Sequence, residues 1–269
     1  MSLRIQNNVE AFNAQRNLVA NSNAMSKAME KLSSGYRINR ASDDAAGLAI
    51  SEKLRGQIGG LSQANRNAGD AISMVQTGEG ALNEVHSMLQ RVRELAVQYK
   101  NGTLSTSDRT AIQSEVDQLK SEIERIGTDT EFNGTKLLSS AGSISFQIGA
   151  GDGQQITAAT ISVGAQVSSA VFALSTTGAS DIDEIDTAIN NVSAARADFG
   201  AVQNRLEHTI SNLASYQENL TASESRIRDA DMAEEMAKFS KLQILQQAGT
   251  SMLAQANSAP QNVLSLLRG

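Results

Sequence analysis

The chain has 269 residues, a formal charge of −6 and no cysteine, which excludes disulfides, thiolate catalysis and cysteine-held metal centres. Aromatic residues make up only 3% and tryptophan is absent, so long helices packed at close range suit the composition better than one thick globular core. The acidic balance comes without a basic cluster, and so without the electrostatic footprint of a nucleic-acid binder.

Residues 1–8 lack the apolar run of a secretory signal, so composition alone points to the cytoplasm. A helix is predicted over 3–33, with Ile5, Val9, Phe12, Val19, Met25, Met29 and Leu32 at roughly helical intervals. Between Glu10 and Lys27 its only charge is Arg16. Gly35 can take the left-handed conformation that ends such a helix. Residues 36–41 read as a linker, and Ser42 as the hydroxyl cap of the next helix, with Asp43 and Asp44 at the positive end of its dipole.

That helix carries the strongest periodic signal. Gly47, Ile50, Leu54, Gln57, Leu61, Ala64, Ala68, Ala71, Val75, Gly78, Leu82, Val85, Leu89, Val92, Ala96 and Tyr99 alternate spacings of three and four, as a coiled-coil seam does. Asn101 and Gly102 turn the chain. Ser105 and Asp108 have capping-box spacing, and Ile112, Val116, Leu119, Ile123 and Ile126 form a second seam that Gly127 is expected to end. Residues 130–134 read as a turn. Period-two alternation over 144–148 and 161–163, with glycines over 149–153 before Gln155, predicts a β-hairpin near 140–165. From about Ser180 a long helix returns, its seam running through Ile185, Ile189, Val192, Phe199, Leu206, Ile210, Leu213, Leu220 and Ile227. Arg196, Gln203, Gln217 and Glu224 fill the remaining heptad slots.

The last stretch, 229–269, has no charged side chain from 242 to 267. A membrane helix needs about 20 predominantly apolar residues, and this stretch holds too many amides. An ordinary surface helix would keep Lys and Glu on its wet face. A neutral helix with Met236, Phe239, Leu242, Leu245, Met252, Leu264 and Leu267 on several sides instead asks for helical partners, with Pro260 expected to kink or restart its last turns. Nesting the elements gives a mainly α fold. It is a long antiparallel coiled-coil-like bundle with a small hairpin, rod-shaped, with the N- and C-terminal helices paired at one end. One helix pair buries too little surface to offset its ordering entropy, so both ends are expected to be disordered in a lone subunit.

Chemistry is sparse. His86 and His208 lie on helices without the further ligands that metal binding requires. The acids at 181–186 have Asp186 where a calcium loop needs glycine, and the glycines of 149–153 miss the phosphate-binding patterns. Four Asn-x-Ser/Thr triplets are short enough to arise by chance. With no nucleophile–base pair, the expectation is no enzyme, no cofactor and no metal.

Several strings together resemble the bacterial flagellins: KLSSGYRINRASDDAAGLAIS at 31–51, LQRVRELAVQ at 89–98, TEFNG at 130–134, GAVQNRLEHTI at 200–210, SRIRDADM at 225–232 and MLAQAN at 252–257. The wording is most like that of Firmicutes flagellins of the Bacillus type. The resemblance implies a secreted subunit that self-assembles into the flagellar filament for motility. Residues 1–42 with 229–269 would form an inner tube, 43–228 an outer tube, and the short 165–179 stretch leaves no room for a large outer domain. Assembly would run through the terminal helices at Ile5, Val9, Phe12, Met236, Phe239, Leu242, Leu245, Met252, Leu264 and Leu267.

The implied partners are further copies of the chain, the flagellar type III export apparatus, a C-terminal-binding export chaperone, hook-associated and cap proteins, and host Toll-like receptor 5. Nucleic acid and membrane are not among them. Export without a cleaved signal to an extracellular filament replaces the cytoplasmic expectation. By the same resemblance the receptor would contact Arg91, Leu95 and Glu115, with Gln90, Arg93, Glu94 and Gln98 beside them. The alternative is a hook–filament junction protein.

Overall fold

A computed structural model describes residues 8–167, 169–175 and 181–268, and for 169, 170 and 259–268 it gives the backbone only. Helices α1 (Val9–Ser34), α2 (Ala45–Tyr99) and α3 (Thr106–Asp129) precede two small hairpins, β1–β2 (Glu131–Phe132, Thr135–Lys136) and β3–β4 (Gly142–Gln147, Gln155–Thr160). A short helix α4 (Val163–Gln166), a 3-10 turn (Ser169–Phe172), α5 (Asp181–Arg228) and α6 (Met232–Arg268) complete the chain. No described helix is long and apolar enough to cross a membrane. The chain divides into two compact units: a terminal unit of Met1–Gly56 with Asn219–Gly269, and a central unit of Gln57–Glu218.

In the central unit the α2 seam is sealed. Leu61, Ala64, Ala68, Ala71, Val75, Leu82, Val85, Leu89, Val92 and Ala96 are each at most 2% exposed. Their partners on α5 are Ile185, Ala188, Val192, Ala195, Phe199 and Leu206, all buried. The two helices run antiparallel, since Arg93 meets Asp186 near one end and Glu79 meets Arg196 further along. A Cβ on Gly78 would stand 2.8 Å from Cε2 of Phe199, so the missing side chain lets the aromatic ring reach the α2 backbone. Ala195 takes the buried position beside Arg196, because a small side chain fits the seam while the guanidinium reaches outward to Glu79.

α3 closes the third side. Ser105 caps it with a complete capping box: its Oγ accepts from the Asp108 N–H, and the Asp108 carboxylate accepts from the Ser105 N–H. The helix does not end at Gly127 but continues to Asp129. Gly127 is buried because Val163 packs there, with its Cβ 3.3 Å from where a Gly127 Cβ would be. The glycine thus marks a close approach rather than a stop. Asn133 and Gly134, with φ of 49° and 78°, make the two-residue turn of β1–β2.

The second hairpin pairs Ile144 with Ala158 and Phe146 with Ile156. Ile156 and Ala158 are buried, and Ile144 and Phe146 pack against the same core. Residues 161–163 are not a strand. Val163 instead opens α4, capped by the Ser162 hydroxyl, and its N–H donates to the Leu138 carbonyl. Val167, Val171 and Phe172 follow as buried core residues.

In the terminal unit α1 and α6 are paired helices, as the nesting of the elements predicts. They run antiparallel: the Asn8 side-chain amide donates to the Ala256 carbonyl at 2.6 Å and that of Asn21 to the Leu242 carbonyl at 2.8 Å. A Gly249 Cβ would lie 3.3 Å from Leu18 Cδ1, so small residues allow the close approach. Gly35 (φ 74°) ends α1 in the left-handed conformation. α6 runs through Pro260 as one helix, without a restart. Asp44, not Ser42, caps α2, its Oδ1 accepting from the Gly47 N–H, while Asp43 folds back to accept from the Asn39 and Arg40 N–H groups. Those two bonds hold the Asp43 carboxyl below its ordinary value, the Arg40 bond contributing most.

Candidate functional site

The candidate assembly surface is on α1 and α6. Val9 is 56% exposed, Phe12 61%, Met236 50%, Leu245 48% and Met252 65%. Phe239 and Leu242 are half-buried. Ile5 and the side chains of Leu264 and Leu267 lie outside the described residues. Burial of one apolar side chain of this size contributes roughly 1.5–3 kcal/mol, so a surface carrying several such side chains is a strong drive to associate. Among the described residues of this unit only Ala28 and Ile38 are buried apolar side chains. The unit thus has more apolar surface than two helices can hide from water.

A strap from 35 to 40 fastens the unit. The Gly35 carbonyl accepts from the Ala230 N–H, the Arg37 N–H donates to the Arg228 carbonyl, and the Arg37 guanidinium donates to the Ile227 carbonyl. Tyr36 pairs with Asp229, and the Arg228 guanidinium lies 4.5 Å from the Tyr36 ring centroid. Ile38 is 2% exposed and leaves only 2.8 Å between its Cδ1 and a Cβ on Gly47. The linker reading of 36–41 missed this anchor. Ile38, the one large aliphatic residue between two arginines, was the available signal.

A second surface joins α2 to its two flanking helices in the central unit. Arg91 donates through Nε and Nη2 to Glu115 Oε1 at 3.0 and 2.8 Å and through Nη1 to Glu94 at 3.2 Å. Arg93 donates to both carboxylate oxygens of Asp186, at 2.6 and 3.3 Å. Gln90, Arg91, Arg93, Glu94, Gln98 and Glu115 are exposed. Leu95, the expected centre of this patch, is 1% exposed and belongs to the core. α2 is flanked here by both α3 and α5, so its sealed face is wider than one seam and takes in Leu95. It supports the exposed residues from beneath instead of presenting its own side chain. The hydrogen bond to Glu115 raises the Arg91 guanidinium, and the bond from Arg93 holds the Asp186 carboxyl below the usual range. The Arg93–Asp186 pair was not foreseen, since nothing local in sequence links residues so far apart.

Neither histidine gathers ligands. His86 shares a 2.9 Å hydrogen bond with Gln90, and no cluster of metal-ligating groups occurs among the described residues. His208 lines a groove with Leu61, Ile148 and Tyr216.

Comparison with known proteins decides the identity. The bacterial flagellin N-terminal helical region matches residues 5–143, and the bacterial flagellin C-terminal helical region matches residues 182–267. A flagellin of Halalkalibacterium halodurans is 53% identical over 98% of this chain and 99% of that protein. The chain belongs to the bacterial flagellin family. A Bacillus subtilis flagellin is 49% identical over 99% of this chain and all of its own length. The crystal structure of Bacillus cereus flagellin, 33% identical, superposes with a TM-score of 0.51 over 59% of this chain and 94% of its own. A flagellar hook-associated protein from Vibrio parahaemolyticus, at 15% identity and a TM-score of 0.58 over 70% of this chain, shares the fold alone. Both helical regions of the flagellin family are therefore present, and the chain is a structural subunit of a flagellar filament.

Proposed function

We propose that in the assembled filament the terminal unit forms the innermost layer, built from α1 and α6 of many copies, and the central unit the layer outside it. The observation that carries this reading is the pairing of exposed apolar side chains with a charge-free helix. Phe12, Ile244 and Met252 are 61%, 66% and 65% exposed, while 242–267 holds no charged residue. Association with like helices removes the apolar surface from water, and the amides tolerate a narrow wet strip. That strip lines a central channel through which further subunits travel, and charge on it would bind them.

The subunit reaches the cell exterior through the type III export apparatus. An export chaperone that binds its C-terminal helix travels with it, and hook-associated and cap proteins frame the growing filament. Its role is structural rather than enzymatic. On the free subunit, Arg91 and Glu115, with Gln90, Arg93, Glu94 and Gln98, form the face met by Toll-like receptor 5, and Leu95 holds that face in shape.

Two measurements test these roles. Ile244→Lys together with Met252→Lys should abolish filament growth from purified subunits while the thermal unfolding of the central unit is unchanged; normal filaments would refute the innermost placement. Long filaments grown from the chain alone also separate a filament subunit from a junction protein. Arg91→Ala should lower receptor signalling by the free subunit at unaltered helical content, and full signalling would refute that assignment.

A further inference from the structure

Among the described residues, the exposed methionines lie on the helices of the proposed assembly surface. With no cysteine, sulfur chemistry rests on methionine alone. Met29 is 52% exposed, Met232 46%, Met236 50% and Met252 65%, all in the terminal unit, whereas Met74 in the central core is 6% exposed. Met25 and Met29 sit four residues apart on α1, and Met232 and Met236 four apart on α6, a spacing that puts each pair on one helix face. The antiparallel pairing brings the two helices together at this level. A groove of about 400 Å³ is lined by Met25, Met29 and Phe239, with Gln243 and Gln247 beside them. Residues some two hundred positions apart in sequence thus line one groove, with the Met25 and Met29 thioethers beside the Phe239 ring.

We propose that these methionines make the unassembled subunit an oxidation-sensitive switch: sulfoxide formation on the α1–α6 surface blocks its addition to the filament, and assembly in turn shields the same sulfurs. The reaction needs a two-electron oxidant of the peroxide class. The thioether sulfur attacks a peroxide oxygen, the O–O bond breaks, an S–O bond forms, and water leaves after proton transfer. Sulfur is oxidised by two electrons and the peroxide is reduced to water. The product replaces a flexible apolar side chain by a polar, chiral one. Buried between copies, its oxygen loses its hydration, which costs free energy unless a donor replaces it.

This inference rests on the assembly role of α1 and α6, and the test separates the two. Free subunit and finished filament are treated with graded hydrogen peroxide, and sulfoxide at each methionine is read by peptide mass spectrometry. Sedimentable polymer is then measured before and after treatment with the two methionine sulfoxide reductases. Met29, Met232, Met236 and Met252 should oxidise in the free subunit well ahead of Met74. The subunit concentration needed for growth should rise by roughly tenfold or more, the order expected when polar groups are buried without partners. The reductases should restore growth.

Undiminished growth at full sulfoxide occupancy, or a loss that the reductases do not reverse, would overturn the switch. Equal oxidation of these methionines in filament and free subunit would instead remove the assembly placement on which it stands.

Discussion

The two units use similar helices to opposite ends. In the central unit α2 is flanked by α3, α5 and the β3–β4 hairpin, and its seam from Leu61 to Ala96 is closed to water. In the terminal unit the same helix shows Ile50 at 51%, and α1 shows Phe12 at 61%. The difference is one of number rather than composition. A helix covered on one side can hide about a third of its circumference, whereas one covered by several elements hides most of an apolar stripe. Residue pattern sets which side chains ask for cover; the count of neighbours sets which receive it. The terminal unit is thus an unfinished core, and under the proposed assembly role copies of the chain finish it.

Hydrogen exchange of the free subunit should show the contrast at its widest. Amides of α2 from Leu82 to Leu89 should exchange only through global unfolding, on the order of 5–15 kcal/mol for a single domain, while those of α1 and α6 should open at close to zero cost. Equal protection in both units would break the comparison. Phe199→Ala should destabilise the free subunit by about 3–5 kcal/mol. Phe12→Ala should change its stability by less than about 0.5 kcal/mol, yet weaken assembly; chemical denaturation and sedimentation read the two effects.

Gly78→Ala places a methyl group against the Phe199 ring and should cost about 1–3 kcal/mol by overpacking. Gly59→Ala, with open space at its Cβ, should be tolerated, and thermal unfolding of the pair would sharpen the packing argument. Ser105→Ala removes half of the α3 capping box and should cost about 1 kcal/mol in urea titration.

The smallest effect is that of acid. Asp108, Glu122 and Asp186 all titrate below their ordinary values, held down chiefly by hydrogen bonds from Ser105, Arg125 and Arg93 respectively. A lowered carboxyl contributes stability that is present above its unfolded pKa and is lost as pH falls through the folded one. Stability of the free subunit should therefore be flat from neutral pH to about 5 and decline below about 4, modestly because these groups are exposed and screened. Arg93→Gln should shrink the Asp186 share of that decline.

Local chemistry was legible in the sequence where one short segment determines it. The Ser105–Asp108 box, the Gly35 terminus, the Asn133–Gly134 turn and the Leu61–Ala96 seam all follow from neighbouring residues. What escaped needed a distant partner. Gly127 looked like a stop until Val163 packed on it. Leu95 came as a receptor contact from the resemblance alone, and a second flanking helix places it in the buried face. Ser42 seemed the better cap because hydroxyl and carboxylate are nearly equal there, and Asp44 takes the place once Asp43 folds back on Asn39 and Arg40. In the candidate assembly surface, Val9, Phe12, Met236 and Met252 are readable as apolar residues on neutral helices, and the structure leaves them exposed. The methionine-lined groove was not, because it depends on the register of α1 against α6.

The strap at residues 35–40 carries a consequence for the order of events along a growing chain. Its bond from Arg37 to Ile227 spans 190 positions, and the bond from Asn8 to Ala256 spans 248. The central unit has all of its chain once Glu218 exists. The terminal unit has to wait for the segment beyond it, and long-range closures of this kind are slow to form. α1 therefore lacks its mate until the segment from Met232 onward exists. The fastening at Tyr36 and Arg37 works as a clasp that can shut only once residues 227–230 have been made, so the two helices it holds are secured late.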